Sequence, residues 1–396
     1  MMCRFSILGL SIVICVICCS ASSELVSTHL SDIIKSWKTD ETPSMQCSLF
    51  FDKINFMEHI LQQCLIKRKL LSTTPNINVA VVACGEDDRV EETLVNIKTI
   101  ALFAKSKTNF HIFTEPNLFK KFHRGIQQWP SCFRSRFTHK LYPITYPNDG
   151  QNWRSLFKIC ASQRLFLPNI LTNVDSLLYV DTDILFLSPV DDIWAKFKKF
   201  NSTQLSAMSP EHENPRVGWY SRFARHPYYG DTGINSGVML INMTRLRSAD
   251  FKNDVQKSKL KWDNLLLPLF RKYSSNLTWG DQDILNIIFH HNPEMLYVMS
   301  CYLNYRPDHC MYMQMCGSAV ENGVSVMHGC RRSFHNDKWP SFKAVYKAFK
   351  DYSFYNPLSS LLQEIKKNLD KSPHSQCKLS SEVVIMGLQK TIEGII

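Results

Sequence analysis

Nine residues, Asp175-Ser176-Leu177-Leu178-Tyr179-Val180-Asp181-Thr182-Asp183, constrain this chain more than any other stretch. Leu177 to Val180 form a short apolar run bounded by polar residues, which reads as a buried strand. The run stops at two aspartates one residue apart, at the end of a strand where open α/β sheets bind their ligands. Hard carboxylate oxygens placed there suit Mn²⁺ or Mg²⁺ carrying a substrate phosphate. A bare Asp-x-Asp is more often a strand end followed by an acidic turn. Its meaning therefore depends on what the rest of the chain sets beside it.

Upstream, Asn78 to Cys84 is an apolar β run ending at Gly85. A helical pattern over Val90–Phe103 and a second strand over Asn109–Thr114 follow. Strand, helix and strand in that order open a mostly parallel central sheet with flanking helices, an α/β fold whose first strand tip meets the nucleotide. No Gly-x-Gly-x-x-Gly and no Walker loop is present, which argues against a dehydrogenase or a P-loop enzyme. Trp153 to Leu167 reads as a helix ended by Pro168, with Arg164 near its end. Glu211 to Gly230 is a long loop in which Trp219, Tyr220, Phe223, Tyr228 and Tyr229 interleave with arginines. It suits a sugar or protein acceptor as well as it suits plain aromatic packing. Gly233 to Gly237 leads into the strand Val238–Asn242, and small residues there permit close approach by a ligand. Trp279-Gly280-Asp281-Gln282-Asp283 opens an amphipathic helix, where an aspartate also serves as an N-cap. The last strand, from Val324, ends at His328-Gly329. Arg331, Arg332 and Lys338 beyond it offer cations to a leaving diphosphate.

Composition fixes the setting. The 396 residues are 44% apolar with a net charge of +11. The positive charges are scattered and no RNA- or DNA-reading motif is present, so a phosphate-bearing substrate is favoured over nucleic acid. Residues 1–21 hold Arg4 and an apolar run from Phe5 to Cys19, either a cleavable signal peptide or a short signal anchor. Both deliver the chain to the secretory lumen, Golgi or endoplasmic reticulum, with membrane contact only through that segment; the anchored form is single-pass type II. Three acceptor sequons, at Asn201, Asn242 and Asn276, agree with that route. Ten cysteines beyond the leader allow several disulfides whose pairing sequence does not give, and none has zinc-site spacing. The expected division is a leader at 1–21, a luminal stem at 22–75 with a helix near 50–71, a transferase domain at 76–345 and a helical tail at 346–396.

Set side by side, these stretches resemble the retaining glycosyltransferases of family 8, the family of glycogenin and bacterial galactosyltransferases. The resemblance runs from about Val79 to Tyr346. Its motifs are Arg164-Leu165-Phe166-Leu167-Pro168, the Asp175–Asp183 stretch, Asn235-Ser236-Gly237-Val238, Asp281-Gln282-Asp283 and His328-Gly329. Pro210-Glu211-His212-Glu213, Gly218-Trp219-Tyr220 and Asn304-Tyr305-Arg306-Pro307-Asp308 are similar to the glucoside xylosyltransferases within it. The resemblance implies a GT-A fold, UDP-xylose as donor and Mn²⁺ as cofactor. It also implies α-1,3 transfer of xylose to O-linked glucose on EGF-like repeats such as those of Notch. It assigns Asp181, Asp183 and His328 to the metal, and Val82, Ala83 and Cys84 to the uridine site. Arg164 falls near the nucleotide sugar, and Asn235 and Gly237 against the sugar. Asp281 falls to a sugar hydroxyl and Gln282 beneath C1. Lys338 is a weaker transfer to the diphosphate, because the family's lysine follows the histidine at a different spacing. With an amide rather than a carboxylate beneath C1, front-face attack by the acceptor is the expected course. The alternatives are another UDP-sugar, glucose or galactose, and a catalytically silent lectin-like protein.

Overall fold

A computed structural model describes residues 76–395 apart from 86, 147–152, 154–159 and 254–256. The expected leader, stem and leading helix lie outside the described residues.

The central sheet has seven strands in the order β10-β6-β7-β4-β1-β2-β3. They are β1 (Ile77–Ala83), β2 (Thr108–Thr114), β3 (Phe137–Pro143), β4 (Ser176–Val180), β6 (Ser206–Pro210), β7 (Ile234–Asn242) and β10 (Leu296–Val298). Every neighbouring pair is parallel except those made by β7, which runs against both β4 and β6. The central strands are apolar on both faces, as a sheet covered on both sides requires. Alternation along them divides two cores. Val79, Val81, Leu178 and Val180 pack with Ile97 and Ile100 of helix α1 (Asp87–Phe103). Ala80, Leu177, Tyr179 and Ile241 pack with Ile284 and Ile288 of helix α2 (Asp281–His291). Two short pairs complete the strands: β5 (Ile184–Phe186) with β11 (Val326–His328), and β8 (Asp250–Phe251) with β9 (Ser258–Lys259), both antiparallel.

The helix expected to end at Pro168 is organised differently. Cys160 sits at φ 63°, tied by a disulfide to Cys84. Residues 161–166 form a 3₁₀ turn, and a short helix, Leu167–Ile170, then starts with Pro168 in its first turn. Proline is tolerated there because a first-turn N–H has no helical partner to lose. A third core joins β5 and β11 to helices α3 (Pro340–Asp351), α4 (Leu358–Lys371) and α5 (Glu382–Glu393). Cys310–Cys377 and Cys301–Cys316 are bonded within it. Among the described residues, no helix is long and apolar enough to cross a membrane.

Candidate active site

Because β1, β4 and β6 run in one direction and β7 in the other, four chain segments meet at one edge of the sheet. They are the ends of β1, β4 and β6 and the beginning of β7. A cleft of about 840 Å³ opens there, and the start of α2 and the end of β11 reach it from either side.

Asp181 and Asp183 follow β4 directly. The Asp181 N–H donates to Gly237 O at 2.9 Å, and Asn96 of α1 donates to the Asp181 carbonyl at 3.1 Å. The β5–β11 pairing sets His328 opposite Ile184, and the Gly329 N–H donates to Asp183 O at 2.7 Å. His328 Nε2 thereby lies 3.5 Å from Asp183 Oδ1 and 3.9 Å from Asp181 Oδ2. One ligand atom from each of the three residues lies within 4.8 Å of the others. Neighbouring ligands of one hard cation with bonds near 2.1 Å stand about 3 Å apart. Two carboxylates and an imidazole at these separations are a donor set able to hold a metal ion.

Arg164, buried, binds both acidic clusters. Nη1 is 3.3 Å from Asp181 Oδ1 and donates to Ser236 O at 2.7 Å, while Nε contacts Asp281. Its guanidinium lies over the Tyr179 ring, 4.7 Å from the centroid. Burial pushes the Asp281 carboxyl up to about 6, with Arg164 opposing the shift. Asp283 has a different task. It accepts the Thr278 and Trp279 N–H groups at 2.7 Å each and the Tyr220 hydroxyl at 2.6 Å, tying the turn that precedes α2 to the helix's first turn. The helix-capping role open to either aspartate falls to neither, since Gly280 holds the N-cap position with no side-chain hydrogen bond; Asp281 faces the cleft.

Gln282 is held at both ends. Its Oε1 accepts from Ser236 N at 3.2 Å, and its Nε2 donates to Glu211 Oε1 at 3.1 Å. Glu211, buried just past the end of β6, also accepts from Asn235 Nδ2 at 3.3 Å and lies 3.4 Å from buried Arg306.

Of the remaining expected residues, Val82 and Cys84 line the cleft, but Ala83 does not: its side chain turns into the α1 core, as period-two alternation along β1 requires. Asn235 lines the cleft, yet its amide is spent on protein partners. Gly237 lies beneath the imidazole instead of facing the cleft, and a Cβ there would press into the His328 ring. Lys338 is exposed, away from the cleft, with its ammonium over Trp339. The cleft takes its cations from Arg89, Arg331 and Arg332 as well as Arg164. Arg331 and Arg332 both hold left-handed backbone, φ 57° and 60°. Such strained residues cost free energy and cluster at functional sites. Arg331 pairs with Asp308 at 2.6 Å and Arg332 with Asp88 at 3.1 Å. Arg89 pairs with Glu92 at 2.7 Å, and Glu92 also accepts the Thr182 hydroxyl between the two metal-site aspartates, at 2.8 Å.

The aromatic loop divides its residues between packing and cleft. Tyr220 is core. Trp219 lines the cleft edge-to-face with Trp279, 4.9 Å between centroids, and Phe223 projects into solvent. Sequence reasoning gave no role to Arg89, Glu211, Asn304 or Arg306. The available signals were that Glu211 follows a strand as Asp181 does, and that Glu211, Asn304 and Arg306 fall within the stretches similar to the glucoside xylosyltransferases.

A sequence profile described as "Glycosyl transferase family 8" matches residues 80–302. The chain belongs to glycosyltransferase family 8. It is therefore an enzyme that moves a sugar from a nucleotide-activated donor to an acceptor. The chain is 53% identical over 329 residues to Glucoside xylosyltransferase 2 of Mus musculus, covering 82% of this chain and 74% of that protein. It is 54% identical to Glucoside xylosyltransferase 1 of Gallus gallus, covering 82% and 75%. A solved structure of the galactosyltransferase LgtC with donor and acceptor sugar analogues superposes with a TM-score of 0.53 at 16% identity, covering 69% of this chain and 95% of that one. The GT-A architecture of family 8 enzymes is the fold of this chain.

Proposed function

We propose that this glycosyltransferase takes xylose from UDP-xylose and adds it, with retention and in α-1,3 linkage, to glucose O-linked to EGF-like repeats. The observation that carries the reading is identity above 50% across four fifths of the chain to proteins named glucoside xylosyltransferases. Asp181, Asp183 and His328 would hold Mn²⁺, which when bound neutralises charge on the departing diphosphate. Val82, Cys84 and Gly85 at the β1 tip would take the nucleotide. The Asp281 carboxylate, fixed by Arg164, would accept a hydrogen bond from a donor-sugar hydroxyl.

Retention without a free nucleophile follows from Gln282. Its carbonyl oxygen is already occupied by Ser236 and its nitrogen by Glu211, so neither end is free to bond to C1. The acceptor hydroxyl then attacks from the face that UDP leaves, passing its proton to the departing phosphate oxygen. On the β6–β7 side of the metal trio, Trp219, Trp279 and Thr278 offer aromatic surface and a hydroxyl to an acceptor sugar. The N-terminal segment would place the domain in the secretory lumen, where such repeats are modified.

The test is UDP release by the purified chain with Mn²⁺, a panel of UDP-sugars and an EGF repeat with or without O-glucose. UDP-xylose with the glucosylated repeat gives the highest turnover. Preference for UDP-glucose or UDP-galactose overturns the donor, and no release with any donor overturns the enzyme reading.

A further inference from the structure

We infer that Asn304 is a positioning residue that fixes the tautomer of His328, so that Nε2 presents its lone pair to the two aspartates. The inference deepens the metal-site reading above and, for its functional consequence, rests on it.

Two groups beside Asn235 have a hydrogen-bonding character that is not open to choice. The Gly237 backbone N–H only donates, and it lies 3.1 Å from Asn235 Oδ1. The Glu211 carboxylate accepts, and it lies 3.3 Å from Asn235 Nδ2. Between these poles the Asn235 amide has one orientation, with its oxygen toward Gly237. That oxygen also faces Asn304 at 2.9 Å, so Asn304 must present its NH₂ there. The Asn304 oxygen is then turned toward His328 Nδ1, 2.9 Å away. An amide oxygen only accepts, so Nδ1 of the neutral imidazole carries the proton and Nε2 does not.

Burial makes this chain of donors and acceptors strict. Asn304 is fully buried, and His328, Asn235 and Glu211 are nearly so. A reversed amide would set donor against donor among groups this deeply buried. Gly237 packs against one side of the ring and leaves no room there for even a methyl group, so the imidazole cannot withdraw toward that side. Metal-binding histidines depend on such a partner on the other ring nitrogen. None of the four residues bonded in this chain is a neighbour of another in sequence.

The experiment uses the full chain, ¹⁵N-labelled at histidine, with Asn304→Leu and Asn304→Asp. Leucine keeps volume without an acceptor; aspartate keeps an oxygen for Nδ1–H, whether ionised or as the acid. The His328 tautomer is read by ¹⁵N NMR without metal, and Mn²⁺ affinity by EPR titration. Wild type shows Nδ1–H. Asn304→Leu moves the population toward Nε2–H and weakens Mn²⁺ binding roughly 10–100-fold, while Asn304→Asp keeps Nδ1–H and stays within a few-fold of wild type. Asn304→Ala serves in place of leucine if that variant does not fold, with the same expected losses. Unchanged tautomer and affinity in the leucine or alanine variant overturn the inference, as does equal loss in the aspartate variant. If wild type binds no Mn²⁺, the metal reading fails, and the tautomer shift alone decides the role of Asn304.

Discussion

Two side chains at the cleft have functional consequences that can be separated by titration and by sterics. Asp281 is ionised only above about pH 6, because burial raises its carboxyl although Arg164 opposes the shift. If the ionised form holds the donor sugar, kcat/KM falls as pH drops through about 6 and is level above it. Asp281→Asn lowers the plateau and removes that limb, which a pH–rate profile from 5 to 8 reads directly. Gly237→Ala acts on the metal trio without replacing a ligand. Its Cβ would lie 2.8 Å from His328 Nδ1 and 2.9 Å from Nε2, so the ring must shift. If the trio holds Mn²⁺ as proposed, its affinity falls at least roughly tenfold, since displacing a ligand's support costs about as much as losing its hydrogen-bond partner. Calorimetry on wild type and variant checks it. These positions also mark what one sequence can reveal. Asp181, Asp183, His328 and Gln282 were legible because each ends or begins an apolar element. Gly237 reads as an approach for the sugar because glycine reports closeness without naming the neighbour. Lys338 stands out by its charge, but charge does not say which way a loop turns; the strained turn at Arg331 and Arg332 brings those cations in instead.

At the scale of elements, long-range polar contacts complete what local propensity starts. Lys98 on α1 is buried, and its ammonium donates to Phe349 O at 2.8 Å and Lys350 O at 3.0 Å, capping the end of α3. A cation is favourable at a helix C-terminus, yet burial lowers this group to about 8, with Asp351 opposing. The folded chain therefore releases the proton between about pH 8 and 10.5, where the unfolded chain still holds it. Stability from this group rises with pH across that window, and the cost of burying the charge is fully present below it. Its size is on the order of 3 kcal/mol. The difference in melting temperature between wild type and Lys98→Met, followed from pH 7 to 10, should shift in favour of wild type as pH rises. A constant difference would mean that the ammonium is not desolvated. None of this was visible in sequence, where Lys98 and the end of α3 stand 251 positions apart.

For the molecule as a whole, the question is where the catalytic unit ends. A boundary near residue 345 is a natural reading, because the motifs stop there and 346–396 carries no chemistry. The packing argues for a later end. Phe334 stacks on Tyr346 at 5.1 Å between centroids, and Leu361, Ile365, Leu388 and Ile392 share one core with Leu185 and Met327 of the β5–β11 pair that positions His328. Gly387 meets the Val324 backbone so closely that only glycine fits, and Cys377 is bonded to Cys310, with both sulfurs beside the Pro307 carbonyl. A chain ending at Val345 would leave that apolar face in water and the His328 strand without its support. It is expected to lose its cooperative melt and, with it, the Mn²⁺ binding proposed for the trio. Cys377→Ser is the milder cut. Opening a loop with sequence separation 67 removes roughly 4 kcal/mol and lowers the melting temperature on the order of 10 °C. Scanning calorimetry with parallel Mn²⁺ titration decides it. A truncated chain that melts cooperatively and still binds Mn²⁺ would show that the C-terminal helices are a separate unit resting on a domain able to fold without them.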